Sequence, residues 1–394
     1  TYTLIDAPNI GNILGQGYLS TLLVRLGTVA STRDIALSSD GNTAFVANGD
    51  DGLIVLDVSD PTAPVGLGGL DVNPGNGSGS SRGIALSSDD RTVFIADSIG
   101  GLKIVDVQGG SYSIVGDIDT NGNAVGVALS PDNQTAFVAD SVSVKIIDVS
   151  TPSLPSLISQ VITSAPYGID VSPDGNTVYV ADQLDGLCII DISASDGLSN
   201  PNLIDCLSTP GFSSGVKVSP DGEKLYLADF GEGLKVYRLD NPLSPLFYNA
   251  LDTDGSSYKV DLSPDGNQIF VADGSGVKAF ELDDFENLNQ TASLDLAGTV
   301  FSVASNSDGS AVFAATGDTG LQVVGLERAT YSAGDELPQQ IVYEGDQSLS
   351  SGYIGTFAFR VSDGDLFSNI ASVDVTFDTE PLNNGIYTYT NGAD

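Results

Sequence analysis

The chain has 394 residues, 52 of them acidic and 14 basic, giving a formal charge of −38, and it contains no histidine. That balance repels phosphate backbones and anionic lipid, so neither nucleic acid nor membrane insertion is expected. Without histidine there is no Ser-His or Cys-His nucleophile pair and no imidazole ligand for a metal.

From the N-terminus, residues 1–17 read as a strand (Thr1–Asp6) followed by a turn. Leu19–Val29 is a second, apolar strand. A motif then recurs: a Ser-x-Asp-Gly turn, a short strand rich in β-branched residues, another turn and another strand. Residues 172–191, SPDGNTVYVADQLDGLCIID, typify it. The turn aspartates are Asp40, Asp89, Asp132, Asp174, Asp221, Asp265 and Asp308, so successive copies lie 49, 43, 42, 47, 44 and 43 residues apart. A period in the forties made of short strands and turns predicts a β-propeller with one four-stranded blade per repeat. The expected fold is therefore all-β, with a seven-bladed propeller over residues 18–328.

In the fourth copy the strands read as Gly168–Ser172, Thr177–Ala181, Leu187–Ile192 and Leu203–Ser208. The seventh copy has only three, Phe301–Ser305, Ala311–Ala315 and Leu321–Leu326. Leu19–Val29 has no blade of its own, and is expected to complete the seventh. Closing the ring in this way removes two exposed sheet edges. Folding residues 187–208 as a hairpin about Gly197 sets Ile190 opposite Ile204 and Cys188 opposite Cys206. Opposed positions come within disulfide reach, so a bridge is expected in preference to two buried thiols, and a bridge implies an oxidising compartment. Past Leu326 the period ends. Residues 327–340 read as a linker, and 352–378 as two alternating strands, Thr356–Val361 and Ala371–Phe377, about an Asp-Gly-Asp turn. Tyr387–Thr390 is a further alternating strand. No methionine occurs, even at position 1, as expected of a processed protein or an excised part of a longer one.

The runs GLIVLDVSDPTAP (52–64), GLKIVDV (101–107) and VKIIDVSTPSLP (144–155) resemble the LVIVD-repeat propellers. SPDGNTVYVAD (172–182) is similar to the related YVTN-type repeat. The resemblance covers residues 19–326 and implies architecture; such propellers serve as surface-layer, adhesion and scaffold modules without one shared activity. Tyr237-Arg238, Phe280-Glu281 and Val324-Gly325 depart from the apolar-Asp pair. Residues 352–378 resemble the last strands of the cadherin-like, immunoglobulin-type repeats of large bacterial adhesins, and TYTLIDAPNIG (1–11) resembles an earlier strand of them. That resemblance implies a propeller inserted in a small β-sandwich, with 1–17 and 329–394 as its two parts.

Candidate sites are few. The turn aspartates suit turn chemistry, because Asp caps backbone amides and Gly tolerates positive φ. The aspartates after each second strand (Asp97, Asp140, Asp182, Asp229, Asp273, with Asn48 and Thr316 in the other copies) are expected to cap turns as well. Asp117, Asp119 and Asn121, followed by Gly122, open like a calcium loop with oxygen ligands at alternate positions. Its closing glutamate is missing, the residue there being Ala128. Asp252 and Asp254 give a shorter version and Asp363 and Asp365 a third, so calcium is the expected cofactor. Counting back from each inner strand places Arg33, Arg82, Val125, Tyr167, Ser214, Tyr258 and Phe301 around one mouth of the central channel. They are expected either to plug it and balance local charge or to hold a small polar ligand or a partner's side chain.

The expected role is that of a secreted or cell-surface structural or adhesive protein without catalytic turnover. Its alternatives are a calcium-dependent ligand-binding module and a histidine-free propeller hydrolase or lyase. Self-association into a homopolymer is expected through strand addition at the termini, with Tyr2, Leu4, Tyr387 and Tyr389 on the exchanged strands. A protein or glycan surface partner is the further expectation.

Overall fold

The structure is a computed structural model describing residues 18–26, 31–74, 79–194, 196–282, 287–307, 309–328, 354–359 and 371–376. The chain divides into one compact unit of residues 20–326 and another of 1–19 and 327–394.

Apolar runs in the middle of each repeat dictate how the larger unit packs. TAFVA (43–47), TVFIA (92–96) and TVYVAD (177–182) are buried at nearly every position, as a strand must be when both sheet faces are covered. Seven four-stranded antiparallel sheets result. In the fourth, Pro166–Val171, Thr177–Asp182, Gly186–Asp191 and Asn202–Leu207 run in that order from inside to outside. The inner strand Asp34–Leu37 touches both Gly83–Leu86 and Ser302–Ser305, and the other inner strands touch their neighbours in turn, so the ring is closed. The hydrophobic cores lie between adjacent blades. Phe45 and Val55 of the first pack on Ile84 and Val93 of the second, and Phe313 and Val323 of the seventh on Ile35 and Val46 of the first. Each such buried side chain contributes about 1.5–3 kcal/mol.

The seventh sheet has the order Tyr18–Leu26, Leu321–Arg328, Ala311–Ala315, Ser302–Ser305. The N-terminal strand thus supplies its outer edge, and Leu23, Val24 and Leu26 pack on the core between the seventh and first blades.

The Ser-x-Asp-Gly turn is a hydrogen-bonded device. In the fourth copy Ser172 Oγ donates to Asp174 Oδ1 (2.6 Å), Asn176 N donates to the same oxygen (3.0 Å), and Thr177 N donates to Ser172 Oγ (2.9 Å). Gly175 follows at φ 73°, a left-handed conformation that favours glycine. The second and third copies put Asp90 and Asn133 there instead, at φ 57° and 58°. Their side chains accept from Ser39 N and Ser88 N of the preceding blade and so tie neighbouring turns together. The aspartate that ends the third strand also caps a turn: Ser59 N donates to Asp57 Oδ1 (3.0 Å) and Ser150 N to Asp148 Oδ1 (2.9 Å).

Third and fourth strands slip by one residue at the same level in blades one to six. The slip corrects one expected pairing: Ile190 stands opposite Leu203, not Ile204. A β-bulge accommodates one extra residue in the outer strand. Cys188 and Cys206 are directly opposed below the bulge and form a disulfide.

In the second unit, Ile354–Phe359 pairs antiparallel with Ala371–Thr376, Ile354 opposite Thr376 and Phe359 opposite Ala371. Among the described residues this unit is a two-stranded sheet, with its first strand two residues earlier than expected. Tyr2, Leu4, Asp308, Asp363, Asp365, Tyr387 and Tyr389 lie outside the described residues.

Candidate functional site

The channel is shaped by the residue that follows each of Arg33, Arg82, Val125, Tyr167, Ser214, Tyr258 and Phe301 along the inner strands. Four blades have glycine there: Gly83, Gly126, Gly168 and Gly215. A Cβ on Gly168 would stand 2.5 Å from Ser214 O and 2.9 Å from Gly215 Cα, so neighbouring inner strands meet backbone to backbone. The other three blades place Asp34, Lys259 and Ser302 there. Lys259 Nζ donates to Asp34 Oδ1, as do Ser302 Oγ (2.6 Å) and Ile35 N (2.8 Å). Asp34 Oδ2 accepts from Ile84 N of the next blade (3.0 Å).

The same reach recurs twice. Asp170 Oδ2 accepts from Val218 N (2.8 Å) and Asp261 Oδ2 from Ser305 N (2.9 Å), each again on the next inner strand. An inner strand is an edge whose outward amides lack a ladder partner, and these carboxylates satisfy three of them. Lys217 Nζ lies 3.8 Å from Asp170 Oδ2. The Asp170 charge holds the Lys217 ammonium above its ordinary pKa in spite of burial, with Asp261 and Asp34 adding to it.

Two cavities follow the axis. The larger, about 620 Å³, opens among the Ser-x-Asp-Gly turns and holds Asp170, Lys217 and Asp261. The smaller, about 80 Å³, is lined by Arg33, Arg82, Val125, Tyr167, Ser214, Tyr258 and Phe301, the seven residues read from the sequence as one ring. Val127, Ile169, Val216 and Lys259 line both. The Asp34–Lys259 pair therefore stands at the constriction between them.

At the smaller mouth the Arg33 guanidinium lies 4.5 Å from the Phe301 ring centroid, a cation–π contact. Edge-on ring contacts continue from Phe301 to Tyr258 (5.3 Å), Phe230 (5.4 Å) and Phe212 (6.4 Å). Arg82 Nε donates to Ser98 Oγ (2.9 Å), which donates in turn to Ser80 O (3.0 Å). Burial pushes the Tyr167 phenol pKa up, while the positive charges of Arg82 and then Arg33 act against it. Ser214 Oγ is committed to Ser257 O (2.7 Å).

Of the aspartates ending the second strands, Asp182 caps its own turn as expected, and the set also does more than that. Asp97, Asp140, Asp182, Asp229 and Asp273 are all buried and reach into the loop that leads to their own blade's inner strand. Asp229 accepts from Thr209 Oγ1 (2.7 Å) and Ser213 Oγ (2.9 Å), and Asp273 from Thr253 Oγ1 (2.6 Å). Asp97 accepts from Asn73 Nδ2 (2.6 Å). Sheet pairing then brings a lysine from the third strand alongside. Lys145 is 3.7 Å from Asp140, Lys235 3.3 Å from Asp229 and Lys278 3.8 Å from Asp273. Burial raises the pKa of Asp97, Asp140 and Asp273, opposed at Asp97 by its hydrogen bonds and Lys103, at Asp140 by Lys145, and at Asp273 by the Thr253 hydroxyl and Lys278. Asp182 has no lysine, because Cys188 occupies that position; the amides of Ser164, Ala165, Leu184 and Asp185 donate to it instead.

The residues read as calcium loops have other partners. Asp117 sits on the strand Ser113–Ile118 and lies 3.7 Å from Lys103 Nζ. Asp119 Oδ1 accepts from Asn121 N (2.7 Å), and Asp252 Oδ1 from Asp254 N (2.9 Å). Both are Asx turns, and Asn121 and Asp254 take φ of 59° and 63°. Among the described residues the one cluster of three potential metal ligands is Asp185, Cys188 and Cys206, whose cysteines are bonded to each other.

This architecture agrees with what the chain is similar to. The LVIVD repeat matches residues 30–71, 78–114, 121–163 and 167–209. The match covers the first four blades and stops where the apolar-Asp pair is lost, although the last three blades keep the same four-stranded form. No curated protein matches. Hydrazine synthase of Kuenenia stuttgartiensis is similar over 77% of this chain and 97% of that chain, at 17% identity and a TM-score of 0.61. The β-propeller domain of Cps50 (Swd1) from Myceliophteria thermophila is similar over 78% of this chain and 100% of that one, at 12% identity and a TM-score of 0.63. At those identities the likeness is one of fold. The protein is a seven-bladed propeller whose first four blades match the LVIVD repeat.

Proposed function

We propose that the protein is a non-catalytic structural or adhesive module of the cell exterior. The observation that carries this reading is where the cations go. Lys103, Lys145, Lys235 and Lys278 serve the blades, and Arg33, Arg82, Lys217 and Lys259 line the channel. Among the basic residues whose side chains are described, only Arg25 and Arg91 are exposed. The charge exposed on the described surface is thus mostly acidic, which keeps separate particles soluble and suits a medium rich in cations. The carboxylates inside have structural partners, so the framework is held by charge pairs and not prepared for proton transfer. The Cys188–Cys206 bond supports an oxidising compartment.

Self-assembly belongs to the same reading. The sheet of Ile354–Phe359 and Ala371–Thr376 has, among the described residues, a free edge on each strand. A free edge accepts strand addition, and a head-to-tail contact of that kind propagates instead of closing. Imaging of native material tests the proposal, with variants lacking residues 1–6 or 385–394 as controls. Filaments or sheets that one deletion abolishes are expected. Isolated particles in the native sample, or assemblies that neither deletion affects, would overturn it.

A further inference from the structure

We propose that the smaller channel mouth is a binding site for a small organic monocarboxylate, held by Arg33 and Arg82. The argument begins with ion pairing. Lys103, Lys145, Lys217, Lys235, Lys259, Lys278, Arg91 and Arg238 each lie within 4.0 Å of a carboxylate. Among the described residues Arg25, Arg33, Arg82 and Lys224 have no such partner, and of these only Arg33 and Arg82 line a cavity. Both are half-buried and line the same cavity. Two guanidinium groups lining one cavity, whose one lining carboxylate, Asp34, is already taken by Lys259, form an electrostatic environment completed by an anion.

Size and surroundings narrow the anion. A cavity of about 80 Å³ takes a few water-sized groups, since one water needs roughly 10–15 Å³ on that measure. It fits a carboxylate and a short apolar stem. Tyr167, Tyr258 and Phe301 form the wall around that stem, and Phe230 and Phe212 continue it outward. Asp34 stands directly behind, neutralised by Lys259. A dianion such as a phosphate monoester would add charge beside that aspartate, whereas a monoanion matches the fork geometry of guanidinium at lower cost. The arginines are also set in advance, Arg33 by its stacking on Phe301 and Arg82 by its bond to Ser98. Groups already ordered lose less entropy on binding.

Titration with phenylacetate, its neutral amide phenylacetamide and N-acetylglutamate α-amide tests the site. Saturable phenylacetate binding in the millimolar range or tighter is expected, at least about tenfold stronger than that of phenylacetamide. Arg33→Gln and Arg82→Gln should each weaken it at least about tenfold, and Arg91→Gln should leave it unchanged. A second readout needs no variant: in protein with 15N-labelled arginine, two Nε–H resonances should move on titration while the rest stay still. Absence of saturable binding, equal binding of phenylacetamide, undiminished binding to folded Arg33→Gln/Arg82→Gln protein, or unmoved arginine resonances would each overturn the proposal. Tighter binding of the glutamyl amide than of phenylacetate would overturn the small-molecule assignment by showing that a polypeptide side chain is the occupant.

Discussion

Lys235 Nζ stands 3.3 Å from Asp229 Oδ2, with the lysine side chain 9% exposed and the aspartate 0%. The pairing recurs with a rule. Blades two, three, five and six have an aspartate at the end of the second strand and, on the third strand, a lysine opposite the residue two before that aspartate. Blade one has Asn48 and Ile54 at those positions, and blade seven has Thr316 and Gln322, hydrogen-bonded to each other at 2.9 Å. Charge is present at both positions or at neither, except where Cys188 takes the lysine's place.

Removing one partner should therefore cost far more than removing both. Lys235→Ile alone leaves a buried carboxylate without its counter-charge and Asp229→Asn alone leaves the lysine without one, and the first is expected to destabilise the fold by roughly 3 kcal/mol. Asp229→Asn with Lys235→Ile copies the first blade and should recover most of that loss. Denaturant unfolding of the two single variants and the double variant gives the coupling, and additive losses would contradict it.

Stability should peak in mildly acidic solution. Asp97, Asp140 and Asp273 have folded pKa values above the ordinary one, so the folded state holds extra protons between the two. Their contribution is fully present below the unfolded value and is lost as pH rises through the folded one. The turn aspartates Asp40, Asp89, Asp132, Asp174 and Asp221 are shifted down, mainly by hydrogen bonds such as that from the serine two residues before. Their contribution is present above the unfolded value and disappears as pH falls through the folded one. Melting temperature measured from neutral pH into the acid range should rise and then fall, and Asp97→Asn should flatten the neutral limb.

Intact mass after alkylation without reductant should show no modified thiol on Cys188 or Cys206. Replacing both with serine opens a loop with a sequence separation of 18 residues. A loss of about 3 kcal/mol is expected from the greater freedom of the unfolded chain.

The inner ring should not tolerate a methyl group where strands meet. Gly168→Ala would press a carbon against Ser214 O and Gly215 Cα, at a cost of about 1–3 kcal/mol. Gly66→Ala, where a Cβ meets nothing within 4 Å, should change stability by less than about 0.5 kcal/mol. Chemical unfolding of the two variants side by side is the measurement.

Deleting residues 1–30 removes the strand Tyr18–Leu26 and strips Leu321–Arg328 of its outer neighbour. The exposed edge should make the shortened protein associate. Light scattering would show larger particles, along with a lower melting temperature.

What the sequence reveals depends on how locally each feature is encoded. The repeat period places Tyr167 and Phe301 in the same ring although 134 residues separate them, because every copy starts its inner strand at an equivalent position. Cys188 and Cys206 can be matched by counting along a hairpin, but the bulge that sets Ile190 against Leu203 has no residue signature. Alternation in DIDTNGN suggests converging ligands, yet the segment spans a strand end and a turn, so Asp117 and Asp119 meet different partners. The bonds from Asp34 to Ile84 N and from Asp261 to Ser305 N cross between blades, and no pattern within one repeat announces them. The Asp229–Lys235 pair is different. Stacking the seven copies displays the joint presence of acid and base without any structure.

Placing the cations within the blades and channel also affects how the protein meets proteases. Trypsin-like enzymes need a lysine or arginine in an exposed, locally unfolded segment. Every lysine here is at least half-buried, and the exposed basic residues among those described are Arg25, within the strand Tyr18–Leu26, and Arg91, at the foot of the strand Thr92–Ala96. A propeller organised in this way resists digestion at basic residues until a blade opens, so its lifetime in the presence of such enzymes is set by the unfolding of whole blades.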